Sequence, residues 1–186
     1  MTTVSFHRTD AVTERLGVAW GTCALGTVML ATGAKGVVAI AMGDSADALM
    51  HDLRARFVGA ELVPGDPRAD EYLRQVVAFI DGASGEPDVP LDIRGTAFQQ
   101  RVWAALRAIA PGMTVTYAEV ARRLGAPSAV RAVAGACGAN ALAVVIPCHR
   151  GVRSDGALSG YRWGVARKQA LIAREATIAA VAPAAR

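Results

Sequence analysis

The stretch Gly82–Arg94, rich in Gly, Pro and Asp, divides the chain into two halves with different hydrophobic periods. Before it, apolar residues come in short runs punctuated by glycine. Gly17–Trp20, Leu25–Thr32 and Gly36–Ala41 read as strands, with Gly33–Gly36 as a hairpin connection. Asp44–Phe57 reads as a helix, with Leu49, Leu53 and Phe57 at i, i+4 and i+8. Asp70–Ile80 reads as another, with Tyr72, Val76, Phe79 and Ile80 on one face. The fold class is therefore α+β. Residues 1–92 are expected to form a structural domain with a small antiparallel sheet and helices, and residues 93–186 a second, mostly helical domain.

The second half opens with Thr96 as N-cap of a helix over Ala97–Ile109, which Pro111-Gly112 ends. Phe98, Val102, Leu106 and Ile109 form its apolar stripe, with Trp103 beside it. Thr116 caps a short helix over Tyr117–Leu124. After the turn Gly125–Ser128, Ser128 caps a second helix over Ala129–Ala139. Two short helices joined by a tight, Gly-containing turn are a helix-turn-helix signature. Val130, Val133 and Cys137 share one face of the second helix and should point inward. Ala129, Ala132, Ala136 and Ala139 make a nearly bare second face, with Arg131 as the only charge. Such a helix can enter a narrow groove closely but reads few base edges, so sequence-tolerant DNA binding is expected. An ordinary core helix packed through small residues is the alternative. Val144–Ile146 leads into Cys148, Val152–Ser159 reads as a polar loop, and Gly164–Ala176 as a last helix, with a frayed Ala-rich tail after Thr177.

Charge separates the halves as well. Residues 1–94 carry eight basic and thirteen acidic side chains, and residues 95–186 twelve basic and three acidic. The basic half is suited to a polyanion, and two oppositely charged domains attract each other. With 53% hydrophobic residues a substantial core can form, yet no run approaches the roughly 20 apolar residues that cross a bilayer. The N-terminus lacks the charged and apolar regions of a signal peptide, so a cytoplasmic protein without membrane association is expected. Three cysteines, Cys23, Cys137 and Cys148, argue against a disulfide framework. His7, Cys23 and His51 are scattered and no Cys-x-x-Cys occurs, so no metal site is expected, and no Gly-rich nucleotide loop is present.

The chemistry concentrates in Val144–Arg150, where a hydrophobic run ends in Pro-Cys-His-Arg. A cysteine attacks as its thiolate, so its free pKa of about 8.5 has to be lowered by a neighbouring base or positive charge. His149 and Arg150 follow Cys148 directly, and Glu175 lies in the last helix. Nucleophile, base and orienting acid are the parts of a Cys-His-acid triad. A buried structural cysteine at a strand end is the bland alternative.

Together, residues 91–100, Arg131–Ala134, Ile146–Arg150 and Asp155–Gly164 make the chain resemble the O6-alkylguanine-DNA alkyltransferases, most of all the C-terminal methyltransferase part of their Ada-type members. The likeness is dense over 91–176 and looser over 1–90. It implies an RNase H-like first domain, a winged-helix-like second domain, and a monomer without cofactor, a stand-alone repair unit. It further implies that the partner is double-stranded DNA carrying O6-alkylguanine, with O4-alkylthymine a second candidate substrate. The damaged base is flipped out of the duplex, since such chemistry cannot reach its atom inside the stack. The alkyl group passes irreversibly to Cys148, once per molecule.

By the same resemblance, His149 takes the thiol proton through a water and Glu175 orients His149. Tyr117 protonates the departing purine. Asn140 ties the recognition helix to the active-site strand, and Arg131 fills the gap left by the flipped base. Thr116, Tyr117, Ser128, Ala129, Ala132, Gly135 and Ala136 are the further expected DNA contacts. Gly151, Ser159, Tyr161, Arg162 and Trp163 are expected to form the substrate pocket. Gly151 departs from the family, which commonly has Val there; a backbone carbonyl survives that change, but a pocket wall is lost. Arg150 is expected to be an ion-pair partner. Two rival readings are a Cys-His-Glu hydrolase, for which no oxyanion hole is visible, and a helix-turn-helix binding module without chemistry.

Overall fold

The computed structural model describes residues 13–82, 85–158 and 160–181. Its first half is built on β1 (Arg15–Cys23), β2 (Gly26–Gly33) and β3 (Gly36–Gly43), an antiparallel meander as the glycine punctuation predicts. The sheet is mixed, not purely antiparallel. After α1 (Ala46–Arg56), a short strand β4 (Glu61–Pro64) lies parallel to β1, giving the order β3-β2-β1-β4. α2 (Pro67–Ile80) starts three residues before the predicted Asp70. Asp66 accepts hydrogen bonds from the backbone N–H groups of Arg68 and Ala69, and Pro67 occupies the first turn, where its missing N–H costs nothing.

Alternation along β2 gives the sheet two buried faces. Met29 and Ala31 pack with Leu16, Val18, Leu49 and Leu53 beneath α1. Val28 and Leu30 pack with Leu73, Val76 and Ile80 of α2 in a core that continues without a break to Val102, Leu106, Val133 and Ile146 of the second half.

The second half contains α3 (Ala97–Arg107), β5 (Val115–Thr116), α4 (Tyr117–Arg123), α5 (Val130–Ala139), a 3-10 turn (Cys148–Arg150), β6 (Gly151–Val152) and α6 (Val165–Val181). Thr96 caps α3 in a full capping box with Gln99, and Thr116 caps α4. Ser128 does not cap α5. Ala129 holds the cap position without a side-chain hydrogen bond, and Ser128 is left exposed. Val144–Ile146 forms turns and not a strand, with Val144 at φ 62°, a conformation a β-branched residue rarely adopts. α6 runs on to Val181, past the expected fray point.

The outer edge of β3 joins the halves. Val37 N–H donates to Pro90 O at 2.7 Å, and Asp92 N–H donates back to Val37 O at 2.9 Å. Further along, Ile40 N–H donates to Ala141 O and Ala143 N–H to Ile40 O. Both the connecting segment and the segment leading to Cys148 are therefore laid on an edge that would otherwise invite foreign strands. Gly36 sits at φ 136°, and a β-carbon there would meet Pro90 O at 2.3 Å. Gly36→Ala should therefore destabilise the chain by about 2 kcal/mol or more through backbone strain and the displaced seam. Thr96→Ala should cost only about 1 kcal/mol, the usual worth of an N-cap. Urea unfolding of the two variants checks the order.

Candidate active site

α6 brings Glu175 up beneath the 3-10 turn that carries Cys148, His149 and Arg150. Glu175 accepts from His149 Nε2–H at 2.7 Å and from Arg150 Nε–H and Nη2–H at 2.9 Å each, with Gly112 N–H at 3.3 Å. Arg150 is completed by a bond to Ile109 O, so this buried guanidinium is a clamp on the carboxylate. Burial pushes the Glu175 carboxyl up, but the hydrogen bonds and charges of His149 and Arg150 outweigh it and bring it to about 2. An ionised Glu175 can only accept, which assigns the His149 proton to Nε2 and leaves Nδ1 as the basic nitrogen. Nδ1 is buried without a hydrogen-bond partner in the structure. Burial lowers the His149 pKa against the pull of Glu175, so the ring is neutral and able to take a proton.

Cys148 is buried, and its Sγ accepts from Asn140 Nδ2–H at 3.1 Å. The same amide group donates to Ile146 O and Leu142 O, and Asn140 Oδ1 accepts from Leu142 N–H at 2.8 Å. This fully used side chain, at the C-cap of α5, holds the turn around Val144 and the sulfur together. Among the described residues no hydrogen bond joins Cys148 to His149. The expectation of a lowered thiol pKa is corrected here. Burial drives it well above the ordinary value, the adjoining Cys137 thiol adds to the rise, and Asn140 and Lys168 offset only part of it. The neighbouring cations act elsewhere, since Arg150 is spent on Glu175. Cys148 is therefore held as a thiol.

Lys168 was not singled out in the sequence. It is buried, donates to Gly151 O at 2.5 Å and to the Tyr117 hydroxyl at 3.4 Å, and its Nζ lies 5.7 Å from the Tyr117 ring centroid. Burial lowers its pKa. Burial likewise raises the Tyr117 hydroxyl, to about 12, helped by the nearby Cys137 and Cys148 sulfurs. Tyr117 is thus a neutral donor close to the Cys148 sulfur.

Tyr117 is the member of this group that reaches a cleft of about 530 Å³, which is lined also by Val130, Arg131, Ala134, Arg153 and Gly160 among others. Arg131, Ala132 and Gly135 are exposed on α5, and Ala129 is half-buried. Ala136 is turned inward, contrary to the expected bare face, because it continues the stripe of Val133 and Cys137; Trp103 Nε1–H also bonds its carbonyl at 2.9 Å. Thr116 is half-buried and occupied as the α4 cap. Gly151 is buried in β6, and Tyr161 is buried with its ring edge-on to His149 and to Trp163. Arg162 and Trp163 line a separate small hollow with Met29, Leu49 and Arg56, toward the sheet and not toward the cleft. Ser159 lies outside the described residues.

The chain is similar to several known proteins. Residues 97–177 match the family described as 6-O-methylguanine DNA methyltransferase, DNA binding domain. The chain is 35% identical to the inducible methylated-DNA–protein-cysteine methyltransferase of Bacillus subtilis, over 77% of this chain and 80% of that one. It is 50% identical to the bifunctional transcriptional activator/DNA repair enzyme Ada of Escherichia coli over 83% of this chain, but spans only 44% of that protein. Among solved structures, Mycobacterium tuberculosis OGT in complex with DNA superposes with a TM-score of 0.74 at 35% identity, covering 87% of this chain and 94% of that one.

The clamp has a consequence for acid stability. The folded pKa of Glu175 is depressed from 4.5 to about 2, so its contribution is complete above the unfolded value and fades as pH falls toward the folded one. Stability should decline between about pH 4.5 and 2, and Glu175→Gln should flatten that part of the profile. Arg150→Met leaves a buried carboxylate without its main partner and should cost about 3–5 kcal/mol at neutral pH. Thermal melting across pH checks both.

Proposed function

The chain belongs to the methylated-DNA–protein-cysteine methyltransferase family, and on that premise we propose that it repairs DNA by moving an alkyl group from O6-alkylguanine to Cys148. O4-alkylthymine is a second substrate. The observation that carries the reading is the buried turn in which Cys148 is followed by a neutral His149 braced by an ionised Glu175, with Tyr117 reaching from this group to a cleft that it walls together with Arg131.

In the reaction the flipped base enters the cleft and Arg131 takes its place in the stack. Cys148 Sγ attacks the alkyl carbon in line with the C–O6 bond. The S–C bond forms as the C–O6 bond breaks. His149 Nδ1 receives the thiol proton through a water, and Glu175 stabilises the imidazolium. Tyr117 donates its proton to the purine, which leaves as neutral guanine. Thiol and O6-alkylguanine become thioether and guanine, with the thiol's proton replacing the alkyl group overall. A thioether has no good leaving group, so each molecule acts once. Asn140 and Lys168 hold the sulfur and the tyrosine in place, and no cofactor is used.

We read residues 1–92 as an RNase H-like structural domain and 93–186 as a winged-helix-like domain that binds DNA through Thr116, Tyr117, Ser128, Ala129, Arg131, Ala132 and Gly135. Gly151, Ser159 and Tyr161 surround the base. Arg162 and Trp163 support that pocket from the sheet side. The protein acts as a cytoplasmic monomer. Among the described residues no helix is long and apolar enough to cross a membrane.

The test is to incubate the chain with a duplex carrying one O6-methylguanine and map the product by peptide mass. One added methyl group on the Cys148 peptide is expected, and Cys148→Ser should bind the duplex but gain nothing. Binding without methyl gain by the unaltered chain would make it a damage sensor. No binding and no gain would sink the proposal.

A further inference from the structure

Gly151 is at φ −83° and ψ 124°, a conformation open to any residue. The backbone does not demand a glycine here, but the neighbouring space does. A β-carbon at 151 would lie 2.9 Å from Tyr117 Cε1 and 3.4 Å from Cδ1. The Tyr117 ring therefore occupies the volume that a side chain at 151 would fill. Lys168 holds it there, bonding Gly151 O at 2.5 Å and the Tyr117 hydroxyl at 3.4 Å with its ammonium 5.7 Å from the ring centroid. Ring, ammonium and Gly151 carbonyl form one closed group.

Tyr117 also forms a wall of the cleft of about 530 Å³, with Val130, Arg131 and Ala134 of α5 among the other lining residues. A ring drawn back onto residue 151 leaves that cleft wider. A ring pushed off residue 151 enters it. We infer that Gly151 is a specificity-determining residue for alkyl transfer: it lets Tyr117 lean over its α-carbon and so admits O6-alkyl groups bulkier than methyl. The inference rests on the alkyl-transfer reading above and adds the size class of the substrate. Because the carbonyl of residue 151 has two lone pairs, its bond to Lys168 leaves one free for a bound base.

The experiment compares single-turnover rates of the full chain on duplexes carrying O6-methylguanine or O6-benzylguanine. Gly151→Ala adds the one carbon in question. It should reduce benzyl transfer about tenfold more than methyl transfer, the scale on which one carbon in a tight pocket discriminates. Ala134→Val adds bulk to the cleft independently of Gly151 and should bias the two rates the same way, which keeps the test informative if Gly151→Ala melts early. Equal loss on both substrates, no change on either, or no bias from Ala134→Val would each overturn the inference. Failure of the unaltered chain to transfer even methyl would instead refute the alkyl-transfer reading, and that outcome is visible before any variant is made.

Discussion

Glu175 is a buried carboxylate under the active-site turn, and the arrangement above it depends on its charge. Isolated in the interior it would be costly, and the fold offsets that cost with Arg150, His149 and the Gly112 amide. The arrangement consumes the arginine that follows the nucleophile, sets the His149 tautomer and leaves Nδ1 basic. It also links α6 to the 3-10 turn, so Cys148 cannot shift without breaking a buried ion pair. Stability and chemistry therefore share the same bonds.

Among the described residues, the first half of the chain supplies no side chain to the group formed by Cys148, His149, Arg150 and Glu175, but it braces the segment that carries them. The β3 edge takes the backbone of Ala141 and Ala143, a few residues before Cys148, and Asn140 joins that segment to the end of α5. Arg167 of α6 adds a second tie, donating to Leu25 O and Trp163 O. The helix that faces the cleft, the turn that carries the sulfur and the helix that carries Glu175 thus rest on one sheet. The unusual φ of Val144 lies within this bracing, where Asn140 bonds on both sides of it hold the backbone.

Much of this was legible in the sequence because it is local. Thr96 and Thr116 cap the helices they were expected to cap, and the glycine-punctuated runs are the strands. β4 was missed because its four residues carry little pattern of their own and pair in parallel with a strand more than forty positions away. Ser128 resembled a cap but the chain turns one residue later. Lys168 was missed because a lone lysine on a helix normally reaches solvent. A signal was present, since Lys168, Leu171 and Glu175 fall at i, i+3 and i+7 on one face of α6. The thiol pKa was misjudged for a physical reason. Sequence neighbours reveal charge, but burial and the direction in which a charge is turned come only from tertiary packing.

In the proposed reaction Cys148 rests protonated and is activated only as it reacts. The direct measurement is the pH dependence of Cys148 alkylation by iodoacetamide, followed by peptide mass, beside transfer from an O6-methylguanine duplex. A protonated resting thiol gives an iodoacetamide midpoint well above the ordinary thiol range together with transfer that proceeds at neutral pH. A midpoint below the ordinary thiol range would overturn this picture, because Cys148 would then be a standing thiolate with no need of the His149–Glu175 pair.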